Sequence, residues 1–104
     1  MKTEVAILRN EYPTKIRDFV ADKLQNLVRF YEGTVSMRAV LEKDGDTHRV
    51  ELVANVRRGV VLVVDARSDS ITSALDDAIE RMGRVLSRHK DKLKSGRRKS
   101  RQRL

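Results

Sequence analysis

The chain of 104 residues contains no cysteine, no tryptophan, one proline and only four aromatic residues. Without cysteine, disulfide bonds and thiolate catalysis are excluded, and so are most structural zinc sites, which depend on thiolate ligands. No segment approaches the roughly 20 apolar residues of a membrane-spanning helix, and the N-terminus lacks the charged and then apolar run of a signal peptide. We therefore expect a cytoplasmic protein without a membrane partner, whose fold is held by ordinary packing.

Groups suited to catalysis or metal binding are equally sparse. The only histidines are His48 and His89, and the chain has neither a glycine-rich phosphate loop nor the spacing of a metal site. His89 falls on the apolar face of a predicted helix, where a packing role is expected. We predict that the protein is not an enzyme and uses no cofactor, no metal ion and no small-molecule substrate.

The basic residues are concentrated at one end of the chain. Residues 1–87 carry 14 Lys and Arg and 14 Asp and Glu, whereas residues 88–104 carry nine Lys and Arg against Asp91 alone, which leaves the whole net charge of +8 there. A neutral body with a cationic end suits a polyanion, because each Lys or Arg placed against a phosphate releases a condensed counterion. The alternative interpretation is a solvated tail that only aids solubility.

The hydropathy pattern predicts six elements in the order strand, helix, strand, strand, strand, helix. Loose alternation predicts a strand over 2–8, and alternation of apolar and polar residues predicts strands over 35–42 and 49–57. A run rich in β-branched residues predicts the last strand over 60–66. Apolar residues at steps of three and four predict a first helix that begins at Pro13 or Thr14 and ends at Gly33, and a longer second helix that begins near Ser68, Asp69 or Ser70 and reaches Leu93.

This order predicts an α+β fold, β-α-β-β-β-α, in which a four-stranded sheet carries both helices on one face. A right-handed crossover should join the first two strands, and the three later strands should be antiparallel. The other face of the sheet would be polar and open to water or a partner. We predict that residues 1–94 form this domain and that residues 95–104, with nothing to bury, form a flexible basic tail that is disordered unless bound.

The second helix combines regular shape with positive charge. A basic stripe, defined by Arg81, Arg84, Arg88 and Lys92, recurs at steps of three and four along one flank of the apolar face. A rigid row of cations can follow a phosphate backbone, and the planar fork of arginine binds two phosphate oxygens at once. The alternative is that these residues pair with acids of the same helix or simply solvate it.

Few aromatic residues are available for stacking with nucleic-acid bases. Phe19, Phe30 and Tyr31 fit the core face of the first helix, so Tyr12 is the only free candidate, and a loop tyrosine more often covers the core. Lys23 lies at the rim of the same apolar face, where its stem can cover the core. We therefore expect recognition by shape and phosphate rather than by the reading of bases.

The same helices carry a resemblance to a known family. The second helix reads SITSALD over 70–76, RM at 81–82 and LSRHKDK over 86–92. With Ile16, Arg17, Val20, Lys23, Leu24 and Leu27 on the first helix, this pattern resembles the bacterial ribosome hibernation factors, a family also described as ribosome-associated inhibitors, protein Y and sigma-54 modulation proteins. The chain resembles the short form of the family, which lacks a second, dimerising domain.

The resemblance implies binding in the cleft of the small ribosomal subunit, where contacts with ribosomal RNA block the sites of transfer and messenger RNA and inhibit translation in idle, stationary-phase or stressed cells. It implies a monomer away from the ribosome. By position, the RNA contacts would fall to Lys23, Arg29, Arg81, Arg84, Arg88, Lys90 and Lys92. Two alternatives stay open: a generic binder of structured RNA or DNA that depends on the tail, and an accessory protein whose open sheet face docks another protein.

Overall fold

The structure is a computed structural model that describes residues 2–8, 12–31 and 33–102, with the backbone alone for residues 2–6, 30 and 91–102. The elements are β1 (Lys2–Leu8), α1 (Thr14–Phe30), β2 (Thr34–Asp44), β3 (Thr47–Val56), β4 (Val60–Ser68) and α2 (Ile71–Gln102), with a short 3-10 turn at Arg57–Gly59. The predicted order β-α-β-β-β-α is therefore confirmed.

The four strands form one mixed sheet in the order β1-β2-β3-β4. Strand β1 pairs in parallel with β2, while β2, β3 and β4 are antiparallel neighbours. The parallel pair requires a crossover, and α1 supplies it, whereas the antiparallel strands need only short turns. Strand β4 consequently lies at one edge of the sheet, beside the start of α2.

Both hairpin turns use backbone conformations with positive φ. Between β2 and β3 the turn contains only Gly45 and Asp46, and Gly45 has φ 61°. Between β3 and β4, Arg58 and Gly59 have φ of 69° and 73°. Glycine adopts this region freely, but a residue with a Cβ does so with strain, so Arg58 stores a small unfavourable energy.

Both helices bury their apolar stripes on the same face of the sheet, as predicted. Alternate residues of β2 and β3 point into this layer, among them Met37, Leu41 and Leu52, and all three are almost completely buried. The helices contribute Val20, Leu24, Leu27 and Val28 from α1 and Ala74, Leu75, Ala78, Met82 and Leu86 from α2. Because one continuous cluster joins the sheet and both helices, the orientation of each helix about its own axis is determined by the core.

The opposite face of the sheet is open, but it is less polar than predicted. Val61 and Val63 of β4 are 53% and 55% exposed there. Arg49 pairs with Glu51 of its own strand β3 at 3.0 Å and with Asp65 of the neighbouring strand β4 at 3.2 Å. Valine is favoured in strands for its fit to a pleated surface, which explains why β4 keeps valine on its wet side as well.

The helix ends differ in detail from the predictions. Pro13 occupies the N-cap position of α1 without a side-chain cap, and the helix ends at Phe30, three residues before Gly33. For α2, the Ser70 hydroxyl accepts a hydrogen bond from the backbone N–H of Ser73 at 3.2 Å, so the cap is the last of the three candidates.

The end of α2 bears on the predicted tail. The helix backbone continues to Gln102, beyond the boundary predicted at residue 94. The division into a domain over 1–94 and a flexible tail over 95–104 stays a prediction, since a helix with nothing to bury depends on its surroundings for stability.

Candidate nucleic-acid interface

Helix α2 presents the central part of the basic stripe at a defined angle. Its apolar residues Ala78, Met82 and Leu86 are buried against the sheet, so the helix cannot rotate about its axis without exposing them. Arg81, Arg84 and Arg88 are exposed at steps of three and four. Residues at these steps lie on one flank of a helix, and the structure therefore brings three of the predicted RNA contacts together.

These three arginines line an open groove between α2 and the edge strand β4. The groove has a volume of about 420 Å³ and is completed by Val64, Asp65 and Val85. Hereafter it is called the arginine groove. Val64 and Val85 are half-buried, whereas the arginines are exposed. The groove thus has an apolar floor and cationic walls, and it is open to a long polyanion such as a nucleic-acid strand.

Arg81 is held in place by the sheet. Its guanidinium donates a hydrogen bond of 2.8 Å to the backbone carbonyl oxygen of Asp65. Edge strands expose unpaired backbone groups that invite pairing with other chains, and a charged side chain across the edge discourages this. The contact leaves other N–H groups of the same guanidinium for a phosphate, because the fork carries five of them.

Arg84 is held much more loosely. It lies 3.7 Å from Glu80, one turn earlier on α2, and the two side chains are 60% and 70% exposed. An exposed pair of this kind stabilises a protein by about 0–1 kcal/mol, so a phosphate can displace the carboxylate at little cost. Pairing with an acid of the same helix, the alternative considered for the basic stripe, therefore occurs but does not neutralise the site.

The one carboxylate of the groove is itself paired with a cation. Asp65 accepts a hydrogen bond from Arg49 of β3 at 3.2 Å, and Arg49 also contacts Glu51. Burial lowers the pKa of Arg49, but its hydrogen bonds to Glu51 and Asp65 outweigh this and raise the pKa overall. Because Arg49 stays charged and adjacent, Asp65 weakens the positive potential of the groove less than a free carboxylate would.

Of the other four predicted contacts, Lys23, Arg29 and Lys90 lie outside the groove, and the side chain of Lys92 is outside the described part of the structure. Lys90 is exposed on α2, but it lies two residues beyond Arg88, about 200° around the helix. Lys92 belongs to the part of α2 for which the backbone alone is described. Lys23 and Arg29 lie on α1, half-buried and exposed respectively. The RNA-binding role of all seven residues stays a prediction.

The placement of Phe19 on the core face was wrong. The ring is 38% exposed, and the ammonium of Lys23 lies over it, 5.3 Å from the ring centroid. Phe19 directly precedes the buried Val20 and so lies about 100° away from it around α1, at the margin of the apolar stripe. Whether a residue at that margin is covered depends on the neighbouring element, which the spacing does not reveal.

Tyr12 covers the core, as predicted for a loop tyrosine. It packs against the core cluster, and its hydroxyl is hydrogen-bonded to Nδ1 of His48 at 2.8 Å. Burial raises the pKa of Tyr12. The contact attaches the segment before α1 to the start of β3, a link across 36 residues that local patterns could not indicate.

The described residues were expected to contain neither a metal site nor a membrane-spanning helix. Among the residues that the structure describes, no three His, Cys, Asp or Glu side chains are grouped so that they could hold a metal ion. No helix in residues 14–30 or 71–102 is both long and apolar enough to cross a bilayer.

Known proteins resemble this chain over most of its length. A family model described as "Sigma 54 modulation protein / S30EA ribosomal protein" matches residues 9–94. The chain belongs to this family. The ribosome hibernation promoting factor of Salmonella typhimurium (strain LT2) is 31% identical over 84 residues, which cover 81% of this chain and 87% of that protein. The resemblance inferred from the two helices is therefore confirmed.

Two solved structures share the fold of this chain. The crystal structure of the Thermus thermophilus Protein Y N-terminal domain has a TM-score of 0.72 and 25% identity, and the match covers 83% of this chain and 94% of that chain. A ribosomal subunit interface protein from Coxiella burnetii has a TM-score of 0.79 at 14% identity, covering 88% and 99% of the two chains, which is evidence of shared fold alone. All seven predicted contacts lie within the residues matched to the S30EA family model.

Proposed function

We propose that this protein is a ribosome hibernation factor that binds the small ribosomal subunit through ribosomal RNA and inhibits translation there. Relatives in Salmonella typhimurium and Escherichia coli are named ribosome hibernation promoting factors, which supports the hibernation role. A protein that acts on ribosomes works in the cytoplasm. The arginine groove supports binding to the small subunit through its ribosomal RNA.

The observation that carries the proposal is the convergence of Arg81, Arg84 and Arg88 on one groove. Each guanidinium can bind two phosphate oxygens, so three of them on a rigid helix can hold consecutive phosphates of a folded strand. The groove offers few groups that distinguish one base from another. Binding should therefore depend on the path of the RNA backbone, as expected for structured ribosomal RNA.

Translation would be inhibited because the bound protein occupies the sites of transfer and messenger RNA. The transfer and messenger RNA sites of the small subunit are themselves surfaces of ribosomal RNA, so a protein bound to the same phosphates excludes those ligands by competition. Such inhibition needs no catalytic group, in keeping with the sparse catalytic residues of the chain. It is also reversible, because electrostatic contacts of this kind weaken steeply as salt rises.

The competing proposal is a generic nucleic-acid binder, and the charge distribution gives it some support. The excess of eight positive charges lies in residues 88–104. Deletion of residues 95–104 separates the two proposals. A generic binder should lose nearly all affinity for RNA, whereas a hibernation factor should keep part of its affinity for the small subunit through the arginine groove.

The direct test is co-sedimentation with purified small subunits in moderate salt, with excess transfer RNA as competitor. The variant changes Arg81, Arg84 and Arg88 together to glutamate, and the control changes Arg38, Arg57 and Arg67, three exposed arginines outside the groove, in the same way. We expect wild type and control to pellet near one copy per subunit and the groove variant to stay in solution. Equal loss in both triple variants would show that only the net charge matters and would contradict the proposal.

A further inference from the structure

Helix α1 carries an exposed aromatic ring next to a half-buried lysine. Phe19 is the one large aromatic side chain among the exposed apolar residues of the described chain, and it takes no part in the core cluster. The Lys23 ammonium lies 5.3 Å from the ring centroid and makes no ion pair with a described residue. A cation held only by an exposed ring is weakly bound and is available to a stronger partner.

The ring lies between two lysines along the helix. Lys15, Phe19 and Lys23 are four residues apart, so they form a row on one side of α1, and Lys15 is exposed as well. A helix rises about 1.5 Å per residue, so the Cα atoms of the two lysines, which are eight residues apart, lie about 12 Å from each other along α1, with Phe19 between them. In an RNA strand each base projects from a sugar that has a phosphate on either side, so an aromatic ring with a lysine on either side can contact a base and its flanking phosphates.

We propose that Phe19 and Lys23 form a stacking site for one unpaired RNA base, an inference that rests on the proposed function. The base lies on the face of the Phe19 ring, and the Lys23 ammonium moves from the ring to the adjacent phosphate. The exchange is favourable because base stacking on an aromatic ring is stronger than an exposed cation–π contact, and the lysine gains a phosphate. Both helices pack on one face of the sheet, so α1 and α2 can contact different parts of one folded RNA.

This site changes the expected mode of recognition. Binding by the arginine groove alone would follow duplex or single-stranded RNA equally, provided that the phosphates fit. A stacking site requires a base that is free of its own stack, as in loops and bulges. Every base has a π face, so the site selects unpaired positions without a strong sequence preference.

The absence of tryptophan makes a direct test possible. The Phe19→Trp variant has a single tryptophan whose emission reports stacking, and Gln25→Trp, exposed on another side of α1, is the matched control. After subtraction of the emission of small subunits alone, we expect strong quenching for Phe19→Trp on saturation with small subunits and little change for Gln25→Trp. Phe19→Leu should weaken binding about tenfold, because loss of one stacked base costs roughly that much, while Phe19→Tyr should keep wild-type affinity.

The outcomes separate this inference from the proposed function. If Phe19→Leu binds like wild type and the two tryptophans respond alike, stacking is overturned while the arginine groove stands. If wild type itself does not bind small subunits, the proposed function fails and the stacking site fails with it. Phe19 is exposed, and thermal unfolding of each variant followed by circular dichroism checks that the fold is kept.

Discussion

Replacing Arg81, Arg84 and Arg88 together by glutamine should make the affinity for small ribosomal subunits less sensitive to salt. Glutamine keeps a side chain that can donate hydrogen bonds and has nearly the same helix propensity as arginine, so the change removes charge with little effect on α2. The hydrogen bond from Arg81 to Asp65 is lost or weakened, and the exposed pair of Arg84 with Glu80 is lost. Exposed contacts of this kind contribute little to folding.

The size of the effect follows from counterion release. For duplex DNA, each phosphate that a protein neutralises contributes about 0.9 to the slope of log K against log salt. If each arginine of the groove holds one phosphate, the triple variant should have a slope shallower by about 2.7. Between 1 M and about 0.1 M salt, which is one logarithmic unit, a difference of about 2.7 in slope corresponds to a loss of roughly 500-fold in the affinity of the variant.

The assay is equilibrium binding of fluorescently labelled protein to small subunits at several salt concentrations. The control variant changes Arg38, Arg57 and Arg67 to glutamine and loses the same charge outside the groove. Its slope should differ from that of wild type by less than about 1, since distant charges are largely screened at these salt concentrations. Equal slopes for the two triple variants, or an unchanged slope for the groove variant, would refute the assignment of phosphates to the groove.

Three further predictions concern stability and are read from urea or thermal unfolding. Met82→Ala should lower the free energy of unfolding by about 3 kcal/mol, because Met82 is completely buried and the substitution leaves a cavity; a loss below about 1 kcal/mol would mean that α2 packs loosely. Arg58→Gly should raise the free energy of unfolding by about 0.5–1 kcal/mol by relieving strain at φ 69°, whereas Arg57→Gly, with no such strain, should lower it. Tyr12→Phe should lower the free energy of unfolding by about 1 kcal/mol at neutral pH through loss of the hydrogen bond to His48. Burial raises the pKa of Tyr12, so the stability that the neutral tyrosine contributes is complete below the ordinary pKa of 10.0 and is lost as the pH rises through the folded-state pKa. The difference in unfolding free energy between wild type and Tyr12→Phe should therefore shrink at alkaline pH. A difference that stays constant with pH would contradict this.

The order of elements could be predicted because most of them have a clear period, and β4 is rich in β-branched residues. In β3, Val50, Leu52 and Ala54 occupy every second position, and all three are completely buried. In α2, the step of three and four between Leu75, Ala78 and Met82 identified the buried stripe. These patterns arise from the directions of side chains within one element, so they do not depend on the element against which it packs.

Features that depend on two elements could be predicted only in part. The spacing of Arg81, Arg84 and Arg88 placed them on one flank of α2, but nothing in it indicated that Val64 and Asp65 of β4 would complete a groove there. The contact from Arg81 to Asp65 spans 16 residues and depends on the angle between helix and sheet. Such contacts are set by tertiary packing, which local periodicity does not record.

The exposure of Phe19 also depends on tertiary packing and could not be predicted from the sequence. Its spacing from Ile16 and Leu24 suits a wide apolar stripe, yet the structure leaves the ring exposed beside Lys23. The width of the stripe that a helix buries depends on how closely its neighbours approach. A residue at the edge of the apolar stripe can therefore be buried or exposed with the same sequence pattern. In this protein it is exposed, and the ring is a candidate contact for RNA.

The proposal that the arginine groove faces ribosomal RNA is tested most directly by cleavage of that RNA from a tethered iron chelate. Because the chain has no cysteine, Ser87→Cys beside the groove and Asp46→Cys at the β2–β3 turn each provide a single attachment point, both exposed. We expect hydroxyl radicals generated at residue 87 to cut a few defined positions of small-subunit RNA, with little cleavage from residue 46. Equally strong cleavage from residues 46 and 87, or no cleavage from residue 87 while the protein is bound, would contradict the proposal that the arginine groove faces ribosomal RNA.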